Sequence, residues 1–315
     1  MFLLPRPAGN AAVMALLVGV AAAAGTPSVQ ERFDAAQAQF QRARAAEHLH
    51  RNTEESKNAF SAALAGYRSV VALEPEGPLA ARSQYLMGSA LLFLDRPKEA
   101  AAAYQTVIKR YRANREYLVK ALLRKTSTEK NELDVAAARR TFAEFRKEFP
   151  DGGPGDHTEI ERLERAFRLL GQPAPAFAVS RWIGAPPEHP DSLKGQVTLL
   201  YFFTTWCPNC LKEADFVRDL HTRFAGRGLR IIAVTNNSRG QTDATVEAYV
   251  KEHEWSFPVG VDDDGKTTMA FEGGSIPTAL LIDKSGTVRW YDHPAALDDA
   301  PLVTLLGNSA KRGGK

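Results

Sequence analysis

The sequence predicts a chain of two parts: an all-α helical-repeat domain over residues 27–170, then an α/β domain over 172–308 in which helices flank a mixed sheet. Three observations carry this. Residues 27–170 are rich in Ala, Leu, Glu, Arg, Gln and Lys, with apolar residues at three- and four-residue steps, the helical period. An alanine–aromatic pair recurs there at a nearly constant interval. Beyond 172, short continuous apolar runs alternate with helical patterns, as buried parallel strands joined by crossover helices do.

Ala63 precedes Tyr67 by four residues, Ala100 precedes Tyr104, and Ala138 precedes Phe142. Pro75, Arg112 and Pro150 each follow the aromatic by eight. The aromatic positions 67, 104 and 142 are spaced by 37 and 38 residues, a period of stacked helical hairpins. The small alanine admits a neighbouring helix, the aromatic on the same face fills the gap, and proline stops the helix. Gly88 falls where two helices would cross. The region resembles tetratricopeptide repeats, although its period exceeds the standard 34 and the middle repeat lacks the proline.

Pro150-Asp151-Gly152-Gly153-Pro154-Gly155-Asp156 breaks the pattern as a linker. A further helix is expected at about 157–170, ending at Gly171, and 172–177 is extended. Strands follow at 197–203, 229–235 and 257–261, with helices at 208–225 and 242–253. A hairpin of 278–283 and 288–291 turns at Lys284-Ser285-Gly286, and a last helix covers 297–307.

A length of 315 residues fits two domains. Lys and Arg total 40 against 37 Asp and Glu, too even a balance for a nucleic-acid partner. Residues 1–25 read as an export signal: Arg6 is followed by the apolar run Ala11–Ala24, and Ala22 and Ala24 form a small-residue cleavage site. The run is shorter than the ~20 residues that span a bilayer, so cleavage is expected, with a membrane tether if the signal is retained. Lys311 to Lys315 belong to a disordered tail over 309–315.

The chain has two cysteines, Cys207 and Cys210, in one C-x-x-C. A disulfide framework or a four-ligand zinc site needs more, so no metal is expected and a redox pair remains. The motif sits where a strand turns into a helix. That puts Cys207 at a helix N-terminus, where the dipole and unpaired N–H groups favour the nucleophilic thiolate. Pro208 suits the first turn, and Cys210, nearly one turn on, is placed to resolve.

With these residues, Leu193 to Cys210, Ile276-Pro277-Thr278 and Leu281 to Gly286 resemble the periplasmic thioredoxin-like thiol–disulfide oxidoreductases of the TlpA and ResA type. The resemblance covers about 172–308 and implies a thioredoxin-like α/β fold. It makes Cys207 the attacking and Cys210 the resolving cysteine of a redox disulfide, with no other cofactor. It makes Trp206 the aromatic beside the site and Pro277 a cis-proline that exposes the Ile276 backbone to a client. Glu213 corresponds to an acid that tunes the thiols; read alone, it is a first-turn glutamate complementing the dipole. Where thioredoxins carry a buried acid six residues before the first cysteine, this chain has Tyr201.

The function expected is disulfide exchange on exported proteins, as a reductase fed by a membrane electron donor, with the repeats recruiting a client or partner. One competitor is a peroxiredoxin-like peroxidase: Thr204 lies three before Cys207, but Leu200 stands where a proline is wanted. The other is an interaction protein whose repeats do the binding. Asp262-Asp263-Asp264-Gly265 lacks the alternation of a calcium loop and reads as a polar turn. His48 and His50 point to different sides of a helix, and His293 has no spacing that pairs it with Cys207.

Overall fold

The computed structural model describes residues 26–49, 53–189 and 192–307. The expected signal over 1–25, the tail 309–315 and His50 lie outside them.

Seven helices come first: α1 (Val29–Leu49), α2 (Glu54–Leu73), α3 (Ala80–Phe93), α4 (Pro97–Arg110), α5 (Arg115–Asn131), α6 (Val135–Glu148) and α7 (His157–Leu169). Local chemistry sets their starts. Thr53, Asn114, Asp134 and Asp156 each accept a backbone N–H from the first turn of the helix that follows, and Pro97 opens α4. From α1 to α6 each helix packs on the next.

Ala63, Tyr67, Ala100 and Tyr104 are fully buried. A Cβ on Gly88 would lie 2.5 Å from the Tyr104 ring, so only glycine lets α3 and α4 close over it. The third pair departs from the pattern. Phe142 stays partly exposed, and Phe145, one turn later, fills the core.

The second part is a six-stranded sheet of β1 (Arg181–Ile183), β2 (Val197–Phe202), β3 (Leu229–Thr235), β4 (Val259–Val261), β5 (Thr278–Ile282) and β6 (Val288–Asp292), in the order β1-β4-β3-β2-β5-β6. Strands β2, β3 and β4 are parallel; β5, β6 and β1 run against their neighbours. Helices α8 (Pro208–Phe224) and α9 (Asp243–Glu252) connect the parallel strands, and α11 (Asp299–Leu306) is the last helix among the described residues.

β2 is buried on both faces. Val197, Leu199 and Tyr201 meet α8, α9 and α11, while Leu200 and Phe202 face Phe177, Phe271 and the end of α7. Two short elements escape periodicity, β1 and α10 (Lys266–Ala270). The acidic turn serves the second: the buried Asp262 carboxylate accepts from Thr268 N (2.7 Å), Thr268 Oγ1 (2.6 Å) and Thr267 N (3.3 Å). No cluster of metal-binding side chains occurs among the described residues.

The two parts are packed together. α7 gives Ile160 and Leu163 to the helical core but Ala166 and Leu169 to the sheet core. Beside it, the fully buried Lys130 of α5 reaches the end of β6. Its Nζ lies 2.9 Å from Asp292 Oδ2 and donates to the Tyr291 carbonyl at 2.5 Å and to Asn131 Oδ1 at 2.7 Å. Arg162 Nε lies 3.3 Å from the other Asp292 oxygen. Burial alone would raise the Asp292 pKa; the two cations more than reverse this and hold it below the ordinary value.

Candidate active site

The site forms where β2 ends. Phe203 still bonds to the Val234 carbonyl beside β3, and then the chain turns through Thr204, Thr205 and Trp206 into α8. Gln241 anchors this turn. Its Oε1 accepts from Thr205 N (2.7 Å) and Thr205 Oγ1 (2.8 Å), and its amide donates to Thr235 Oγ1 and the Asn236 carbonyl.

Cys207 is the N-cap of α8 and Pro208 its first residue. The Cys210 N–H donates to Cys207 Sγ at 3.4 Å, an interaction that gains strength when the sulfur is anionic. Both cysteines are free thiols here. Cys207 keeps 6% exposure and Cys210 none, so an incoming disulfide can reach the first sulfur and not the second. Burial, helped by Cys207 and the charge of Glu213, pushes the Cys210 thiol far above its ordinary pKa.

Across from the thiols, the Ile276–Pro277 peptide bond is cis, and Cys207 Sγ lies 4.0 Å from the Ile276 carbonyl. Trp206 is half-buried with the Arg239 guanidinium 4.4 Å over its ring. A hollow of about 140 Å³ adjoins them, lined in part by Thr204, Trp206, Ser238, Gly274 and Ile276. Tyr201 lies under the pair; its buried hydroxyl has no protein partner. Burial first, then the neighbouring Cys210, holds this phenol well above its usual pKa, so it cannot act as the base an acid would be there.

The fold therefore gathers Trp206, Cys207, Cys210, Ile276 and Pro277. Glu213, one turn after Cys210 and near enough for its charge to act on that thiol, accepts the Ala295 N–H on its Oε2 at 3.3 Å. Three residues emerge that spacing did not reveal. Gln241 is one. His293, set aside in the sequence, lies against the Pro277 backbone, and burial lowers its pKa. Tyr249, whose hydroxyl donates to the Cys210 carbonyl at 3.3 Å, braces the same turn.

Two thiols of unequal burial, one helical turn apart, can close and reopen a disulfide with little backbone movement. Held at a helix N-terminus opposite a cis-proline on this mixed sheet, they define a thiol–disulfide oxidoreductase of the thioredoxin-like fold. Known sequences agree. The AhpC/TSA family model matches residues 170–291 and a tetratricopeptide-repeat model matches 82–113. The thiol-disulfide oxidoreductase ResA of Bacillus cereus is 35% identical over 119 residues, 38% of this chain and 66% of that protein. ResA of Bacillus thuringiensis is 34% identical over 134 residues, 42% of this chain and 72% of that protein. Among solved structures, a thiol:disulfide interchange protein of the thioredoxin family from Chlorobium tepidum is 28% identical, with a TM-score of 0.37 over 44% of this chain and 97% of that one. Through its C-terminal part, the chain belongs to the ResA family of thiol–disulfide oxidoreductases.

Proposed function

We propose that the protein reduces disulfides in exported proteins. The observation that carries this is the inequality of the two thiols. Cys207 thiolate attacks a client disulfide, forms a mixed disulfide and releases one client thiolate, which takes up a proton. Cys210 then gives up its proton and attacks Cys207 Sγ. The Cys207–Cys210 disulfide closes and the second client thiol leaves. Two electrons pass to the client, so a dithiol donor must restore the pair; for an exported protein that donor is a membrane partner. In this reading Glu213, whose charge bears on Cys210, takes the Cys210 proton.

Residues 1–25 supply the export signal in this reading, and the helical repeats recruit the client or partner. No described helix is long and apolar enough to cross a membrane. A redox titration of the pair tests the direction. A potential near −270 mV, roughly that of thioredoxin, fits a reductase, and one near about −120 mV would reverse the assignment to an oxidant.

The peroxidase alternative has one observation in its favour: Thr204, three residues before Cys207, has a buried hydroxyl with no protein partner. Yet the buried Leu200 stands where that reading wants a proline. Hydrogen peroxide with a thiol donor is expected to go unconsumed; steady consumption would favour the peroxidase.

A further inference from the structure

We propose that the cavity between the helical repeats and the sheet seats a carboxylate carried by the disulfide substrate, and that Arg124 selects for it. The inference rests on the exchange reading above and adds a substrate class to it.

The cavity has a volume of about 450 Å³, within the usual size of ligand pockets. One wall is α5, whose Arg124, Ser127 and Asn131 follow at three- and four-residue steps and so share a face; Arg162 of α7 extends it. The opposite wall is Asn209 and Glu213 of α8 with Asp292, His293 and the turn after β6. Asn209 lies between the two cysteines and His293 against the cis-proline. A group in this cavity is therefore joined to the place where the client disulfide must lie.

Charge decides what kind of group fits. Asp292 is matched by Lys130 and Arg162. Arg162 also pairs with Glu159, which accepts from Ser127 Oγ. Glu213 accepts the Ala295 N–H. Arg124 differs: among the described residues no carboxylate lies within 4 Å of it. Its strongest electrostatic partners are the phenols of Tyr85, to which it also hydrogen-bonds, and Tyr104, with Asp292 contributing less. It lines the cavity and keeps part of its surface in solvent. Asn131 spends its oxygen on Lys130, which leaves its amide hydrogens as donors. A guanidinium fork with amide donors beside it suits a carboxylate bound through both oxygens.

Such a carboxylate could be an Asp or Glu near the client cysteine, or it could belong to a small thiol disulfide. The test uses the full chain and three substrates: a peptide disulfide with Glu close to the cysteine, the same peptide with Gln, and oxidised glutathione. We expect kcat/KM to favour Glu over Gln about fivefold to tenfold, the scale of one partly desolvated charge pair, and the ratio to shrink with salt. In Arg124→Gln the ratio falls to about one; in Arg124→Lys, which keeps the charge without the fork, part of it returns. If oxidised glutathione leads both peptides and loses that lead in Arg124→Gln, the carboxylate comes from a small disulfide and the site stands. A parent ratio near one, or a ratio unmoved in Arg124→Gln, overturns the inference and leaves the exchange reading intact. Turnover of none of the three overturns both.

Discussion

Among the described residues, two of the places that bury polar groups differ in what those groups meet. Where β6 meets α5 and α7, Asp292 and Lys130 are sealed from solvent, and each meets an opposite charge. Beneath the thiols, Tyr201 is sealed as well, but its hydroxyl meets nothing in the protein, and neither does the Thr204 hydroxyl or the Trp206 ring N–H. Burying an unpaired polar group costs about 1–3 kcal/mol. Beside the cysteines folding tolerates that cost at three neutral groups; at the domain junction Arg162 Nε bears it too, but the carboxylate and the ammonium themselves are both matched. The junction uses buried charge to hold two cores in one arrangement, and the thiol site leaves polarity unspent where charge must appear during exchange.

The junction should break hardest. Lys130→Met leaves a buried carboxylate with Arg162 alone, and stability in urea should fall by about 3 kcal/mol, the lower end for breaking a buried pair. Adding Asp292→Leu should restore most of it, because an apolar pair of similar volume needs no partner. A single variant that costs less than about 1 kcal/mol would mean the cluster does not hold the interface.

The thiols sharpen the other side. With Cys210 raised far above its ordinary pKa by burial, an alkylating reagent near neutral pH should label Cys207 about a hundredfold faster. Peptide mapping of briefly treated protein reads this directly. Equal labelling would remove the inequality on which the proposed mechanism stands.

A smaller effect tests His293, which belongs to both places: it follows Asp292 in sequence and touches Pro277. Burial depresses its pKa, so the folded state resists protonating it. The sign follows: its stabilising contribution is complete above the unfolded value near 6.5, and it drains away as pH falls through that value toward the folded one. The melting temperature should drop from pH 7 to pH 5, and less steeply in His293→Gln. His221, lowered by burial too, keeps part of the slope in that variant. An identical slope would show that His293 is not the group resisting the proton.

Much of this was legible in the residues. The strand-to-helix turn before Cys207, the buried runs of β2 and β3 and the recurring alanine–aromatic pairs are local patterns, and local patterns survive in sequence. The rest depends on distance along the chain or on brevity. Lys130 and Asp292 are 162 positions apart and Thr205 and Gln241 are 36 apart, so no spacing rule joins them. β1 has three residues and α10 five, too few for a period to show. Phe145 displaces Phe142 from the third hairpin core because both lie on the buried side of α6, and the repeat pattern alone does not choose between neighbouring turns.

The smallest change completes the comparison. Tyr201→Phe removes one oxygen and keeps the ring, which stacks on Phe203 at 5.5 Å and meets Trp255 edge-on at 5.9 Å. Because the hydroxyl has no protein partner to lose, stability should stay within about 1 kcal/mol of the parent. The rate is another matter. Of the groups around Tyr201, Cys210 has the largest electrostatic influence on it, so the hydroxyl is expected to turn toward the Cys210 thiolate when that charge forms. One such bond strengthened in the transition state corresponds to closure slowed about fivefold in the variant. Stopped-flow fluorescence of a preformed mixed disulfide, with Trp206 as reporter, would resolve it. Unchanged stability with slowed closure means the unpaired hydroxyl is reserved for the reaction. Unchanged stability with unchanged closure means the polarity under the thiols is idle, and only the junction puts its buried polar groups to use.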